Sequence, residues 1–521
     1  MTRAEKIARL KDGPFDVLVI GGGIAGAGIA LEAARVGART ALVEARDFAS
    51  GTSSRSSKLV HGGLRYLAQG KFGLTRESVR ERNALLRDAP DLVTPREFLV
   101  PVRAGAKNGR IRIGVALAVY DFFAGARSRR WRDAQDLLDE VPVVAPDDLQ
   151  GGWSYADAET DDARLVLRVL QEAQGHGAIA VNYLAVEDLL RGAAGVEGAR
   201  LRDAETGETF EVAARLVVNA AGVWSDRLRD KIGAAPKLRP LRGSHLLFAA
   251  DRIPLSQALG FFAQGDGRPI FAVPWEGAVL VGTTDVDHHA DLDDEPRISR
   301  EEFDYLLTSA QREFPTLGLR ESDIVSTWAG VRPVVASGAH VDPSRETRDH
   351  LIVGEGGLLT VTGGKLTTFR STAVAALRKA AARVPALARA SETSCVFAPV
   401  AQRLEGAPPD IARRLIARYG AGAPDVMKAA QPGELETIGP TRTVWAELRW
   451  AFRAEDVLHL EDAMLRRTRL GLLIRNGAGE TLERVGAIAC AETGWNDARW
   501  RSETERYRAL IARCYSLPAD A

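Results

Sequence analysis

Cysteine is scarce: Cys395, Cys490 and Cys514 are the only three in 521 residues. They form no Cys-x-x-Cys pair and show no metal-ligand spacing, so no metal is expected. So few cysteines, odd in number, exclude a disulfide-built secreted scaffold, and a cytoplasm-facing location is expected. An excess of one charge is also missing, because Lys+Arg and Asp+Glu both number 69. Nucleic-acid binders usually carry a basic surplus, so nucleic acid is not an expected partner, although local basic patches can hide in a zero sum. Long apolar runs are absent as well. Val17 to Ala34 comes nearest, but Asp16 and Glu32 bracket it and Gly21, Gly22 and Gly23 interrupt it. Glycine is costly in an isolated helix, so this stretch reads as strand, turn and helix rather than a signal peptide or a membrane span. No other run approaches the length of a spanning helix, and none is expected.

What is present is ordinary globular composition, 45% hydrophobic and 26% charged. A single core stops growing at about 250–300 residues, so two or three domains are expected.

Phe15 to Ile20 is a short β-branched run of the kind buried in parallel sheets. Gly21-Gly22-Gly23-Ile24-Ala25-Gly26 follows it and fits G-x-G-x-x-G through Gly21, Gly23 and Gly26. Ala27 to Val36 has helical character, Gly37 sits at a C-cap position, and Thr40 to Glu44 is a second strand ending in an acid. The first glycine permits the turn, the second lets backbone approach a pyrophosphate, and the third lets helix pack on strand. The helix N-terminus offers N–H groups to phosphate, and Glu44 is placed for an adenosine ribose. NAD and FAD share this unit. The loop that follows contains Thr52, Ser53, Ser56, Ser57 and Lys58, then His61, Gly62 and Leu64. A hydroxyl-rich loop and a glycine pair here, instead of another helix, suit an extended dinucleotide; the alternative is a solvated surface loop.

Further on, Leu216 to Ala220 is a buried strand running into Gly222, and Leu358 to Val361 is a strand opening through Gly363 and Gly364 into an Ala-rich helix. This second strand–glycine–helix junction presents N–H groups, Lys365 and Thr367 to an anion or a flavin. It lacks the spacer of a Walker A loop. Ser244 to Phe248 and Ala278 to Asp285 are expected strands of a β-rich domain, and Trp328 to Pro333 is expected to be a rigid turn holding Arg332. Arg110 to Phe123 is basic, then apolar, then aromatic. It reads either as a membrane-surface element or as a core helix. From about Pro399 the chain reads as a separate helical domain, with a basic face near Arg466, Arg467 and Arg469 that is a second membrane-contact expectation.

Taken together, GGGIAGAGIA, TSSRSSKLVHGGLRYL, IRIGVALAVYDFF, DDARLVL, GSHLLF, VGTTD, GVRPVV, TGGKLTTFR and LRRTRLGLL resemble the FAD-dependent glycerol-3-phosphate dehydrogenase family, in the family's order and over nearly the whole chain. Ala25 departs from the asparagine that members often carry. The resemblance implies an α/β fold: a glutathione-reductase-like FAD domain (14–95, 159–232, 329–390) interleaved with a β-sheet substrate domain (96–158, 233–328), then a C-terminal helical domain (399–515). It implies oxidation of sn-glycerol 3-phosphate to dihydroxyacetone phosphate by a peripheral enzyme on the cytoplasmic face of the inner membrane, with quinone as acceptor. A homodimer is left open.

With that resemblance, Arg65, Arg332 and Lys365 are the expected phosphate cations, with Tyr66 and Thr367 adding hydrogen bonds. His245 is the expected base, since a neutral imidazole accepts a proton near pH 7; His61 is the alternative and more plausibly helps hold the flavin. There are three rivals. One is a glycerol-3-phosphate oxidase using O₂; another is a flavin amine or amino-acid oxidase; the third, from a different class, is a non-catalytic FAD-binding protein or membrane-docked assembly factor, against which the full set of candidate substrate cations argues.

Overall fold

The computed structural model describes residues 1–64, 67, 70–106, 109–193, 195–264, 266–336, 349–400 and 403–518. Two sheets organise it. The first runs His350–Glu355, Leu358–Gly363, Thr209–Asn219, Phe15–Ile20, Thr40–Val43 and Ile179–Val181. All neighbours along this path are parallel except the first pair. Val17, Leu18 and Val19 are fully buried because both faces of the sheet are covered. Helices Ile24–Arg35, Asp162–Gly175 and Phe369–Lys379 cover one face, joining Leu31, Val166 and Leu377 to Val17 and Val19 in one core. The other face packs on the antiparallel ribbon Leu184–Gly192 and Gly195–Asp203, which pairs onward to Thr209–Asn219.

Nine strands form the second sheet: Val286–Asp287, Leu238–Ala249, Ala278–Gly282, Pro269–Trp275, Ala258–Phe262, Val93–Arg103, Leu149–Thr160 and Arg130–Asp133 in order, with Ile324–Val335 pairing Leu238–Ala249. Its strands fall within 93–160 and 238–335. The sheet therefore begins inside the segment expected to be cofactor domain, and its last strand runs into the segment from 329. Trp328 to Pro333 is not a turn. It lies inside the 12-residue strand Ile324–Val335, in register with Leu238–Ala249, where sheet pairing overrides the local Gly-Val-Arg-Pro signal.

One face of this sheet is covered by helix Arg300–Glu313 through Phe303, Leu306 and Ala310. The C-terminal helices share a core with residues of the opposite face, joining Leu448, Met464 and Leu470 to Leu247, Leu280 and Trp328. The helical region thus packs its core against this sheet. The region's arginines are not a surface. Arg466, Arg467 and Arg469 are 4%, 0% and 1% exposed, which overturns the expectation that they meet a membrane. Arg467 clamps Asp47 at 2.5 and 2.8 Å, Arg466 also bonds Asp47, and Arg469 reaches Asp161 at 2.9 Å and bonds Asp162. Burial alone would raise the Asp47 carboxyl; Arg467 and Arg466 more than offset that and hold it at about 2.

Candidate cofactor and substrate site

A cleft of ≈ 400 Å³ opens at the carboxyl end of Phe15–Ile20. Its walls include Gly21, Gly23, Glu44, Thr52, Ser53, Ser56, Gly222, Gly364 and Lys365. Backbone makes the approach close. Gly21 has φ +118°, and a Cβ on Gly26 would stand 1.9 Å from the Gly21 carbonyl oxygen. Helix Ile24–Arg35 starts at Gly23 with no side-chain cap, so its N-terminus faces the cleft with backbone alone, apart from Ile24 N–H donating to Ser53 Oγ at 3.0 Å. Glu44 accepts from Gly22 N–H at 2.6 Å and Arg46 N–H at 2.9 Å. Burial pushes its carboxyl above the ordinary range, and these two donors oppose the rise.

The glycine turn, a helix N-terminus free of side chains, an acid at the end of the second strand and a hydroxyl-bearing loop suit a dinucleotide. The cleft continues past Gly222, whose carbonyl accepts from Thr362 Oγ1 at 3.1 Å, to Gly364 and Lys365 at the second junction. An isolated nucleotide needs only the first part. An extended dinucleotide such as FAD suits the whole wall.

The other expected residues spread over two neighbouring layers. Ser57 Oγ lies 2.9 Å from His245 Nε2, and the imidazole stacks on Trp328 with centroids 5.0 Å apart. His245 is fully buried. Burial, then the cations Arg332 and Lys58, hold its pKa well below the ordinary value, so the ring is neutral at neutral pH. Arg332 bonds Asp285 at 2.9 Å and Thr283 Oγ1 at 3.1 Å. Lys365 Nζ donates to Ser78 Oγ at 2.8 Å, and Thr367 Oγ1 to the His61 carbonyl at 3.3 Å. Thr52 Oγ1 donates to the Val331 carbonyl, so the loop of the first domain is tied to the strand carrying Arg332.

Lys58 is not brought to the cleft wall. It is fully buried beneath the loop, donating to the Ser54 carbonyl at 2.7 Å and to both Asp162 oxygens at 2.9 Å, between the Trp275 and Trp328 rings. Burial lowers its pKa to about 8. Ser56 bonds the same Asp162 through its N–H and hydroxyl. Gly62 N–H donates to Tyr120 Oη at 3.0 Å and Asp157 Oδ1 at 3.1 Å, and a Cβ there would strike Tyr120 at 2.3 Å. Leu64 is half-buried, at the start of a helical turn. Arg65 and Tyr66 lie outside the described residues. Sequence reasoning missed Asp162 and Asp285, which hold Lys58 and Arg332, and Trp224, Arg46 and Arg227, which line the cleft. None carries a local signal; Asp285 stood at the end of a motif read only as strand. Among the described residues, no group of three or more His, Cys, Asp or Glu is placed to hold a metal ion.

The fold and cleft define a flavin oxidoreductase of the interleaved two-domain kind. Residues 16–370 match the family described as FAD dependent oxidoreductase, and 361–500 match the C-terminal domain of alpha-glycerophosphate oxidase. Among curated proteins, the aerobic glycerol-3-phosphate dehydrogenase of Staphylococcus epidermidis is 36% identical over 88% of this chain and 87% of its own length. That of Staphylococcus aureus is 35% identical over 88% and 87%. Among solved structures, glycerol-3-phosphate dehydrogenase from Bacillus halodurans, complexed with FAD, superposes with TM-score 0.78 at 31% identity, over 98% of this chain and 96% of that one. L-alpha-glycerophosphate oxidase from Mycoplasma pneumoniae, at 17% identity and TM-score 0.59 over 75% and 99%, shares the fold. The chain belongs to the FAD-dependent glycerol-3-phosphate dehydrogenase family.

Proposed function

We propose that this protein oxidises sn-glycerol 3-phosphate to dihydroxyacetone phosphate on FAD and passes the electrons to a membrane quinone. The observation that carries the reading is that one strand end brings a buried imidazole, His245, beside Arg332: a Cβ on Gly282 would meet the His245 ring at 2.3 Å, and the next residue, Thr283, bonds Arg332 through Oγ1 at 3.1 Å. A cation for a phosphate and a base for a hydroxyl are thereby set in one place. A carboxylate-only substrate would make less use of both Arg332 and Lys365, which weighs against an amino-acid oxidase.

Bound FAD supplies the hydride acceptor. The protein does the rest. Arg332 and Lys365 hold the phosphate, with Arg65, Tyr66 and Thr367 completing the clamp. His245 Nε2 lies 2.9 Å from Ser57 Oγ, and Nδ1 has no hydrogen-bond partner among the described residues; in the tautomer that donates Nε2–H to Ser57, Nδ1 is the nitrogen that would take the proton of the C2 hydroxyl. As the hydroxyl proton moves to Nδ1, the C2 oxygen becomes the ketone oxygen, and the hydride lost from C2 would be taken up by the bound FAD. Ser57, His61, Gly62 and Leu64 belong to the loop that would face the flavin, which Lys58 supports from beneath through Asp162, and Gly21, Gly23, Gly26, Glu44, Thr52, Ser53, Ser56, Gly222 and Gly364 would hold the dinucleotide.

No helix among the described residues is long and apolar enough to cross a membrane. Helix Arg110–Ala124 instead supports peripheral contact. Its inner side buries Leu117 and Tyr120, while Ile111, Val115 and Phe122 are 81%, 60% and 80% exposed. Their spacing, four and seven residues apart, puts them on one face. Exposed Arg110, Arg112, Arg127 and Arg130 flank that face, a pairing of apolar and basic surface suited to anionic lipid. In the test, anionic vesicles carrying a quinone analogue are mixed with substrate-reduced protein. Co-sedimentation and reoxidation without O₂ are expected, and Phe122→Ser lowers vesicle affinity about tenfold. Reoxidation by O₂ alone would favour the oxidase.

A further inference from the structure

We infer that residues 291–296 form a strap that closes over the adenosine half of the FAD cleft, that Asp293 is its latch, and that the strap governs how fast FAD leaves. The adenosine half is identified by Glu44, the acid that ends the second strand of the dinucleotide unit. The strap belongs to the other domain, between Val286–Asp287 of the second sheet and helix Arg300–Glu313. It crosses back to reach this half of the cleft. Asp293 lines the cleft wall beside Arg46, Trp224 and Arg227.

The ties come from two pieces of the cofactor domain, the turn after Thr40–Val43 and the segment 222–230. Arg46 donates to the Asp293 carboxylate at 3.1 Å and to its carbonyl at 3.0 Å. Arg227 donates to Asp293 at 2.8 Å and to Asp291 at 3.2 Å. Between them, Trp224 Nε1 donates to the Leu292 carbonyl at 3.2 Å, with the Arg46 guanidinium 5.1 Å above its ring. The far end is fastened differently. Glu295 is bonded by Arg55 and by Tyr515 Oη at 2.7 Å.

The two ends differ in exposure, and that difference assigns their roles. At the latch, the Asp293 and Arg227 side chains are 59% and 49% exposed; at the anchor, Glu295 and Arg55 are 15% and 6% exposed. Exposed ion pairs exchange readily with water and are weakened by salt, whereas buried ones resist both. The strap should therefore pivot on Glu295 and open at Asp293, and salt should loosen it.

The test uses the full-length, FAD-loaded protein, with FAD release followed by the rise in flavin fluorescence after dilution. Release from the unmodified protein is expected to quicken as salt is raised. Asp293→Asn is expected to speed release at low salt by about three- to tenfold, the range a pair of exposed ion pairs supplies, and to flatten the salt dependence. Melting separates a latch from a merely structural residue. A latch leaves the apoprotein melting temperature unchanged and shrinks only the increment that added FAD produces. Release from Asp293→Asn matching the unmodified protein at low salt would overturn the inference. So would an apoprotein melting temperature that falls as far as that of the loaded form.

Discussion

In the proposed cofactor half of the site, backbone lines the cleft; in the proposed substrate half, side chains are gathered. The first half is centred on one junction, where Gly21 to Gly26 and Glu44 lie at the ends of adjacent strands and a helix start, with Gly222 and Gly364 continuing its wall. The second draws Ser57, His245, Arg332, Lys365 and Thr367 from segments up to three hundred residues apart, and each is held by a partner: His245 by Ser57 and Trp328, Arg332 by Asp285, Lys365 by Ser78. A backbone site fails all at once when one atom is added. A side-chain site should lose its properties piece by piece.

The largest effect is expected from breaking the first half. Gly26→Ala places a Cβ 1.9 Å from the Gly21 carbonyl, a clash only backbone movement relieves. It should cost about 1–3 kcal/mol in stability and yield protein largely without flavin, read from the visible spectrum after purification. A variant purified with full FAD would show that the helix can shift and that the close approach is not required. Arg332→Ala probes the second half alone. Flavin content should be unchanged, while kcat/KM for glycerol 3-phosphate falls about ten- to a hundredfold, mostly through KM. An unchanged affinity would remove Arg332 from the phosphate clamp. Asp285→Asn should produce a smaller KM effect in the same direction, because Arg332 keeps its charge and loses its orientation.

The smallest effect concerns His245. Burial and the neighbouring cations keep its folded-state pKa well below the ordinary value. An unfolded imidazole binds a proton near pH 6.5 and the folded one does not, so unfolding takes up a proton below that pH. Stability contributed by this site is therefore complete above about pH 6.5 and declines as pH falls, by up to about 1.4 kcal/mol per unit. His245→Gln should reduce the slope of stability against pH between 6.5 and 5 by that one-proton share, measured by denaturant titration at each pH. An equal slope in the variant would mean the imidazole is not held neutral.

The same contrast explains what could be read from the chain. The cofactor half was legible because its chemistry needs specific glycines at fixed spacing, a local signal. Ser57 and Lys365 stood out beside glycines, but the roles of His245 and Arg332 came only with resemblance to a known family, since a histidine on a strand or an arginine beside a proline is ordinary. Their partners were invisible: nothing near Asp162 in the chain says that it will bury Lys58. The arginines at 466, 467 and 469 show the converse error. Their spacing resembled a basic face, but Asp47, Asp161, Asp162 and Asp462, up to four hundred residues away, neutralise them inside the protein. Charge in a sequence reports a surface only when its counter-charges are local. Helix Arg110–Ala124 went the other way: one face is core, as one of its readings had it, and the other is exposed.

The central claim, that the two halves together oxidise glycerol 3-phosphate on FAD, is tested most directly by one spectrum. Purified FAD-loaded protein is mixed anaerobically with glycerol 3-phosphate while the visible flavin absorbance is followed. The account predicts bleaching, reversed on adding a quinone analogue. An unchanged yellow spectrum at saturating substrate would contradict it, leaving the cofactor fold in place and the substrate assignment without support.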